Sequence, residues 1–74
     1  MNREEFKKFI ESIGFKDLKN GNYVYKEYII SLFVKRYEIY ISPGWSLYDY
    51  NDLKPLEKEF KSELRSIKLK QLLR

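Results

Sequence analysis

Residues 22–42 read NYVYKEYIISLFVKRYEIYIS, and the reading of this stretch decides the fold. Val, Ile, Leu, Phe and Tyr occur in it at strand-forming density, and neither Pro nor Gly interrupts them. The residues on either side read as amphipathic helix. A sheet covered by helices is therefore expected, because each half-apolar element must bury its apolar side against another.

Alternation within the stretch assigns its faces. A two-residue loop at Lys35-Arg36 pairs Val34 with Tyr37, Leu32 with Ile39 and Ile30 with Ile41. Directly paired residues point to the same side, so these six form one apolar surface. Lys35-Arg36 lacks the Gly or Asn that tight hairpin turns favour, which leaves a longer loop open; the faces are kept if its parity is the same. A short first strand, Tyr23 to Tyr25, returns through Lys26-Glu27 and adds both tyrosines to that surface. The expected sheet is thus a three-stranded antiparallel meander, with one long strand from Tyr23 to Val34 as the alternative. Its reverse side collects Val24, Ile29, Ser31, Phe33, Glu38 and Tyr40, which is too apolar for an ordinary solvated face.

Upstream, Asn2 and Glu5 have the spacing of a capping box. Phe6, Phe9, Ile10 and Ile13 follow at helical spacing, in a sector about 100° wide. Gly14 stops this helix, and Phe15 is placed to fold back on its last turn. Lys16 to Gly21 reads as a polar turn.

Downstream, Ser42-Pro43-Gly44 ends the sheet. Trp45, Leu47, Tyr48 and Tyr50 then read as an aromatic connection, pinned by its own side chains or using Trp45 as a recognition anchor. Asp52 caps a last helix that accepts Pro55 in its first turn and buries Leu53, Leu56, Phe60, Leu64 and Ile67. Lys54, Lys58, Lys61, Arg65 and Lys68 form a second stripe about 120° away. Leu69, Leu72 and Leu73 break the pattern, so the helix ends or bends near Ser66, or these leucines meet a partner. The whole, residues 1–74, is one small α+β domain of order α-β-β-β-α, with both helices on one face of the sheet.

Composition bounds the function. With neither Cys nor His among the 74 residues, no disulfide, thiolate metal site or common nucleophile–base pair is available. No cofactor is implied, and a non-enzyme is expected. Asp49, Asn51 and Asp52 resemble part of a calcium loop but lack its Gly and its distal Glu. Glu59 and Glu63 read as solvated charge on a helix flank. No stretch approaches the ~20 apolar residues of a membrane span, and the charged N-terminus is not a signal peptide, so an intracellular, cytoplasmic protein is expected. The net charge of +4 falls on residues 53–74, where seven basic residues face three acidic ones. A one-sided basic helix suits an acidic partner or nucleic acid, but also suits a solvated lysine face. The α-β-β-β-α order is shared with double-stranded RNA-binding domains. Their lysine- and glycine-bearing approach to the second helix is replaced here by the acidic NDLKPLEKEF.

The segments FKKFIESIGF, YVYKEYIISLF, YEIYI, Trp45 and LKPLEKEFKSEL, set in a chain rich in Lys, Asn, Ile, Tyr and Phe, resemble small accessory proteins encoded by phages and mobile elements of AT-rich bacteria. That resemblance implies a small binding protein that modulates a host or viral machine. Two function classes stay open. The first is a non-catalytic interaction protein that binds a larger protein or a second copy of itself through Ile29, Phe33, Tyr40, Trp45, Leu69, Leu72 and Leu73. The second is a nucleic-acid-binding module that uses the basic stripe.

Overall fold

The structure, a computed structural model, describes the backbone of residues 1–72 and the side chains as far as Ile67. Asn2 opens helix α1 (Arg3–Ile13) with a reciprocal cap. Its side chain accepts from the Glu5 N–H at 2.9 Å, and the Glu5 carboxylate accepts from the Asn2 N–H at 3.0 Å. The helix ends at Gly14, at φ 132°, whose N–H reaches the Ile10 and Glu11 carbonyls. A Cβ on Gly14 would lie 2.8 Å from the Tyr25 ring, so conformation and space both require glycine. Phe15 turns back as its position predicts, with its N–H on the Ile10 carbonyl and its ring buried.

Five strands follow: β1 (Lys16–Asp17), β2 (Asn22–Tyr25), β3 (Tyr28–Leu32), β4 (Arg36–Ile41) and β5 (Gly44–Asp49). They form one antiparallel meander in the order β1-β2-β3-β4-β5. Helices α2 (Lys54–Glu59) and α3 (Lys61–Leu72) complete the chain.

The expected three strands are the central ones of the five. The Lys26-Glu27 return is present, with Lys26 at φ 53°. The hairpin between β3 and β4 keeps the expected faces but slides by two residues: Leu32 pairs with Tyr37 and Ile30 with Ile39. The Lys35-Arg36 turn therefore gives way to a longer loop, as its lack of Gly or Asn allows. Val34 is the casualty of that slide. Assigned to the core surface from sequence, it sits in the loop and is 81% exposed.

The two outer strands replace the polar turn and the aromatic connection that the sequence predicts. In β1, the Asp17 carboxylate accepts from the Lys19 N–H and the Asn20 side chain from the Asn22 N–H. These local bonds turn the polar segment back onto β2. In β5, Ser42-Pro43 reverses the chain so that Gly44 faces Ile41, and Trp45 to Asp49 pair along β4. Tyr48 continues the core side of the sheet, and Tyr50 just beyond the strand is buried there.

The core lies between that side and the helices. Phe6 stacks on Tyr37 with ring centroids 4.3 Å apart, and Tyr50 packs 5.1 Å from Phe6. Phe60 meets Phe15 and Tyr28 edge-on at 5.4 and 4.7 Å. Tyr37 is wholly buried, and its hydroxyl donates to the Asp52 carbonyl at 2.6 Å. Burial drives this hydroxyl far above its ordinary pKa, and nearby Asp52 and Tyr48 push the same way.

The last helix is two helices. The break falls at Phe60, at φ −121° and ψ 39°, rather than near Ser66. No Gly or Pro marks it. Phe60 is the buried anchor of the segment, seated among Phe15, Tyr25 and Tyr28, and the carboxylates on either side of it are drawn to the same hairpin. The Tyr28 hydroxyl donates to Glu59 at 3.0 Å, and the Tyr25 hydroxyl donates to Glu63 at 2.7 Å. Lys26 Nζ adds a 3.1 Å ion pair to Glu63. Glu59 and Glu63 are thus half-buried acceptors, not the solvated charges their flank positions suggested. Asp52 does accept from the Lys54 N–H at 3.3 Å, but Leu53 occupies the cap position of α2.

Candidate functional site

Among the described residues, every core contact of the helices is made with one side of the sheet, which leaves the other side open. Register across the strands orders that open side into rows. The first runs Lys16, Val24, Ile29, Tyr40, Trp45, crossing all five strands. The second runs Asn22, Ser31, Glu38, Leu47. The third sets Arg36 beside Asp49, with Phe33 next to Arg36.

These rows form two apolar lobes joined through Leu47. In one lobe the Tyr40 and Trp45 rings meet at 5.3 Å beside Ile29 and Val24. In the other, Phe33, Val34 and Leu47 line a shallow depression of about 580 Å³, rimmed by Lys35, Arg36 and Glu38. The Tyr50 hydroxyl donates to the Phe33 carbonyl, tying the depression's rim to the core. Trp45, Phe33 and Leu47 are each about half exposed, and Val34 more so. Large apolar side chains exposed side by side on one face are uncommon on a monomer's surface and mark sites of association.

Of the partner residues chosen from sequence, Ile29, Phe33, Tyr40 and Trp45 share this face. Trp45 is held there by a strand rather than by a loop. The side chains of Leu69 and Leu72, and all of Leu73, lie outside the described residues. Leu47 and Val34 are the members that sequence reasoning missed. The alternation of Trp45, Leu47 and Asp49 with Ser46, Tyr48 and Tyr50 is the signal that would have found Leu47.

The basic stripe is divided. Lys54 and Lys58 stand on α2, Lys61 and Arg65 on α3, all exposed, with the break at Phe60 between them. The side chain of Lys68 lies outside the described residues. Among the described residues, no three acidic side chains gather where they could hold a metal ion, and no helix is long and apolar enough to cross a membrane.

The fold and face together define a small two-layer α+β protein with one uncovered, aromatic sheet surface. Comparison with known protein families, with characterised proteins and with solved structures gives no match to this chain.

Proposed function

We propose that this chain is a non-catalytic binding protein that docks a larger protein on the open face of its sheet. The observation that carries the reading is the run of exposed Trp45, Leu47, Phe33 and Val34 on the side that, among the described residues, no helix covers. Aromatic side chains held by a rigid strand make strong anchors, because little conformational freedom is lost when they are buried. The formal charges on the face nearly cancel: Lys16, Arg36 and the rim's Lys35 stand against Glu38 and Asp49, a surplus of one. An apolar surface with a surplus of only one charge suits a folded protein better than a phosphate backbone, which rewards many cations. The resemblance to phage and mobile-element accessory proteins is in keeping with this role, the partner being a component of a host or viral machine.

The test is capture from a lysate of the source cell, with and without nuclease, followed by measurement of the dissociation constant for the captured protein in purified form. Phe33→Ser and Trp45→Ser are expected to weaken binding by on the order of 30-fold each, as central interface anchors do. Lys58→Ala with Lys61→Ala should leave it within about threefold, as rim charges do. Capture that disappears with nuclease, or that depends on the lysines and not on Phe33 and Trp45, would replace this reading with nucleic-acid binding by the α2–α3 surface.

A further inference from the structure

The two edges of the sheet are unlike. On one side β1 is two residues long, Lys16 and Asp17, with Lys19 just beyond it, a short and charged end that discourages further pairing. On the other, β5 runs for six residues, Gly44-Trp-Ser-Leu-Tyr-Asp49, five of them exposed. It contains no Lys and no Pro, and its ladder to β4 runs from Ile41–Gly44 to Arg36–Asp49 without a bulge. Asp49, at its far end, is the one charge along it; the Lys, Pro and bulge that keep other edges from pairing are absent.

The backbone phase of that edge follows from one bond. The Phe33 N–H donates to the Arg36 carbonyl at 2.8 Å, so Arg36, Glu38 and Tyr40 turn their backbone groups toward β3. Tyr37, Ile39 and Ile41 then face Tyr48, Ser46 and Gly44 of β5. Trp45, Leu47 and Asp49 therefore direct their N–H and C=O groups off the sheet. Among these, the Asp49 carbonyl already accepts from the Asp52 N–H at 2.9 Å. The others have no partner within the sheet.

We infer that the free edge of β5 pairs antiparallel with β5 of a second copy of this chain, about a two-fold axis at Leu47. In that register Leu47 faces Leu47 of the second copy, and each Trp45 faces the other copy's Asp49. Leu47 exchanges both bonds with its counterpart, and the Asp49 N–H donates to the other copy's Trp45 carbonyl; the Asp49 carbonyl, which already accepts from Asp52, meets the Trp45 N–H with its second lone pair. The apolar Leu47 side chains meet at the centre, and each indole N–H lies beside a carboxylate. Other registers are poorer. A slide toward the turn sets outward groups against Pro43, which has no N–H to give. A slide the other way outruns the strand or brings Asp49 against Asp49. A second copy is thus the occupant whose hydrogen-bonding pattern, length and charge this edge matches. The dimer would carry two open faces side by side on one ten-stranded sheet. The inference rests on the strand edge and not on the open-face reading, and either can fail alone.

The chain has no cysteine, so Leu47→Cys can form a disulfide only between copies. The paired Cα atoms, at about 5.5 Å, fall within disulfide range. Sedimentation equilibrium of the full chain should show a concentration-dependent dimer. Mild oxidation of Leu47→Cys should trap it covalently, while Val24→Cys, on β2 and three strands in from β5, should not cross-link. Leu47→Lys should weaken association by roughly tenfold or more, since like charges directly opposite one another repel. Phe33→Asp should leave it unchanged. A strict monomer up to millimolar concentration would overturn the inference. So would failure of folded Leu47→Cys to cross-link, or a dimer lost with Phe33→Asp and kept with Leu47→Lys. Far-ultraviolet circular dichroism of each variant identifies any that does not fold, and the cross-linking arm stands without the lysine variant.

Discussion

Replacing Tyr37 by Phe removes one oxygen and leaves the ring that stacks on Phe6. The hydroxyl donates to the Asp52 carbonyl from a side chain with no exposed surface. A hydrogen bond of this kind contributes about 0.5–1.5 kcal/mol net, and a buried carbonyl left without its donor costs about 1–3 kcal/mol. Tyr37→Phe should therefore lower stability by about 1–2 kcal/mol, which for a domain of this size moves the melting temperature by roughly 4–15 °C. The pH dependence gives a second readout. The folded state holds Tyr37 protonated well above the ordinary tyrosine value near 10, so above that pH the unfolded chain binds fewer protons than the native one. This contribution is complete below pH 10 and is lost as pH rises, at up to ~1.4 kcal/mol per pH unit. Tyr23, Tyr28 and Tyr50 are raised as well, so wild-type stability should fall steeply in alkali. The Tyr37→Phe curve should fall less steeply and meet the wild-type curve at about pH 11. Urea titrations followed by circular dichroism from pH 7 to 11 measure both quantities. Equal urea midpoints at pH 7, or parallel curves above pH 10, would refute the reasoning.

Gly14→Ala should destabilise by about 1–3 kcal/mol, from the positive φ and the crowding against Tyr25, and the same change should cost less when made in a Tyr25→Leu background. Val34→Lys should change stability by less than ~0.5 kcal/mol, whereas Ile39→Ala should cost about 2–5 kcal/mol; a loss for Val34→Lys as large as that for Ile39→Ala would restore the two-residue turn at Lys35-Arg36, which buries both. The Glu63 carboxyl is held below its ordinary value, first by the Tyr25 hydroxyl and then by a backbone donor and Lys26. Its contribution is full above the ordinary carboxylate range and is lost as pH falls through the lowered folded value. Glu63→Gln should flatten the stability curve below about pH 4.5 and, because the Glu63 carboxylate is the first cause that raises the Lys26 ammonium, should also soften the alkaline limb above about pH 10.5.

The amino-acid sequence by itself determined the features that depend on neighbours along the chain. The Asn2–Glu5 cap and the Gly14 stop are local hydrogen-bonding and conformational requirements, and both are present as read. The parity of β2, β3 and β4 followed from alternation with period two, which survives a two-residue slide. Ile29, Phe33 and Tyr40 could therefore be placed together on the reverse face before any packing was known.

Tertiary structure alone decided what depends on contacts between distant segments. The slide that expelled Val34 from the core reflects pairing of whole strands and the Tyr50 hydroxyl on the Phe33 carbonyl, for which the sequence offers equal hydrophobic candidates on either side of the loop. The break at Phe60 has no Gly or Pro to announce it, because it arises where a ring is seated among Phe15, Tyr25 and Tyr28. The same hairpin drew Glu59 and Glu63 out of solvent. Strand β5 lies between the two cases: its alternation is written in the sequence, but aromatic residues pack equally well in a loop. Only the ladder to β4 makes Trp45 and Leu47 part of an exposed face and Leu47 the centre of a free edge, because a strand's outward groups exist only once its inner ones are paired.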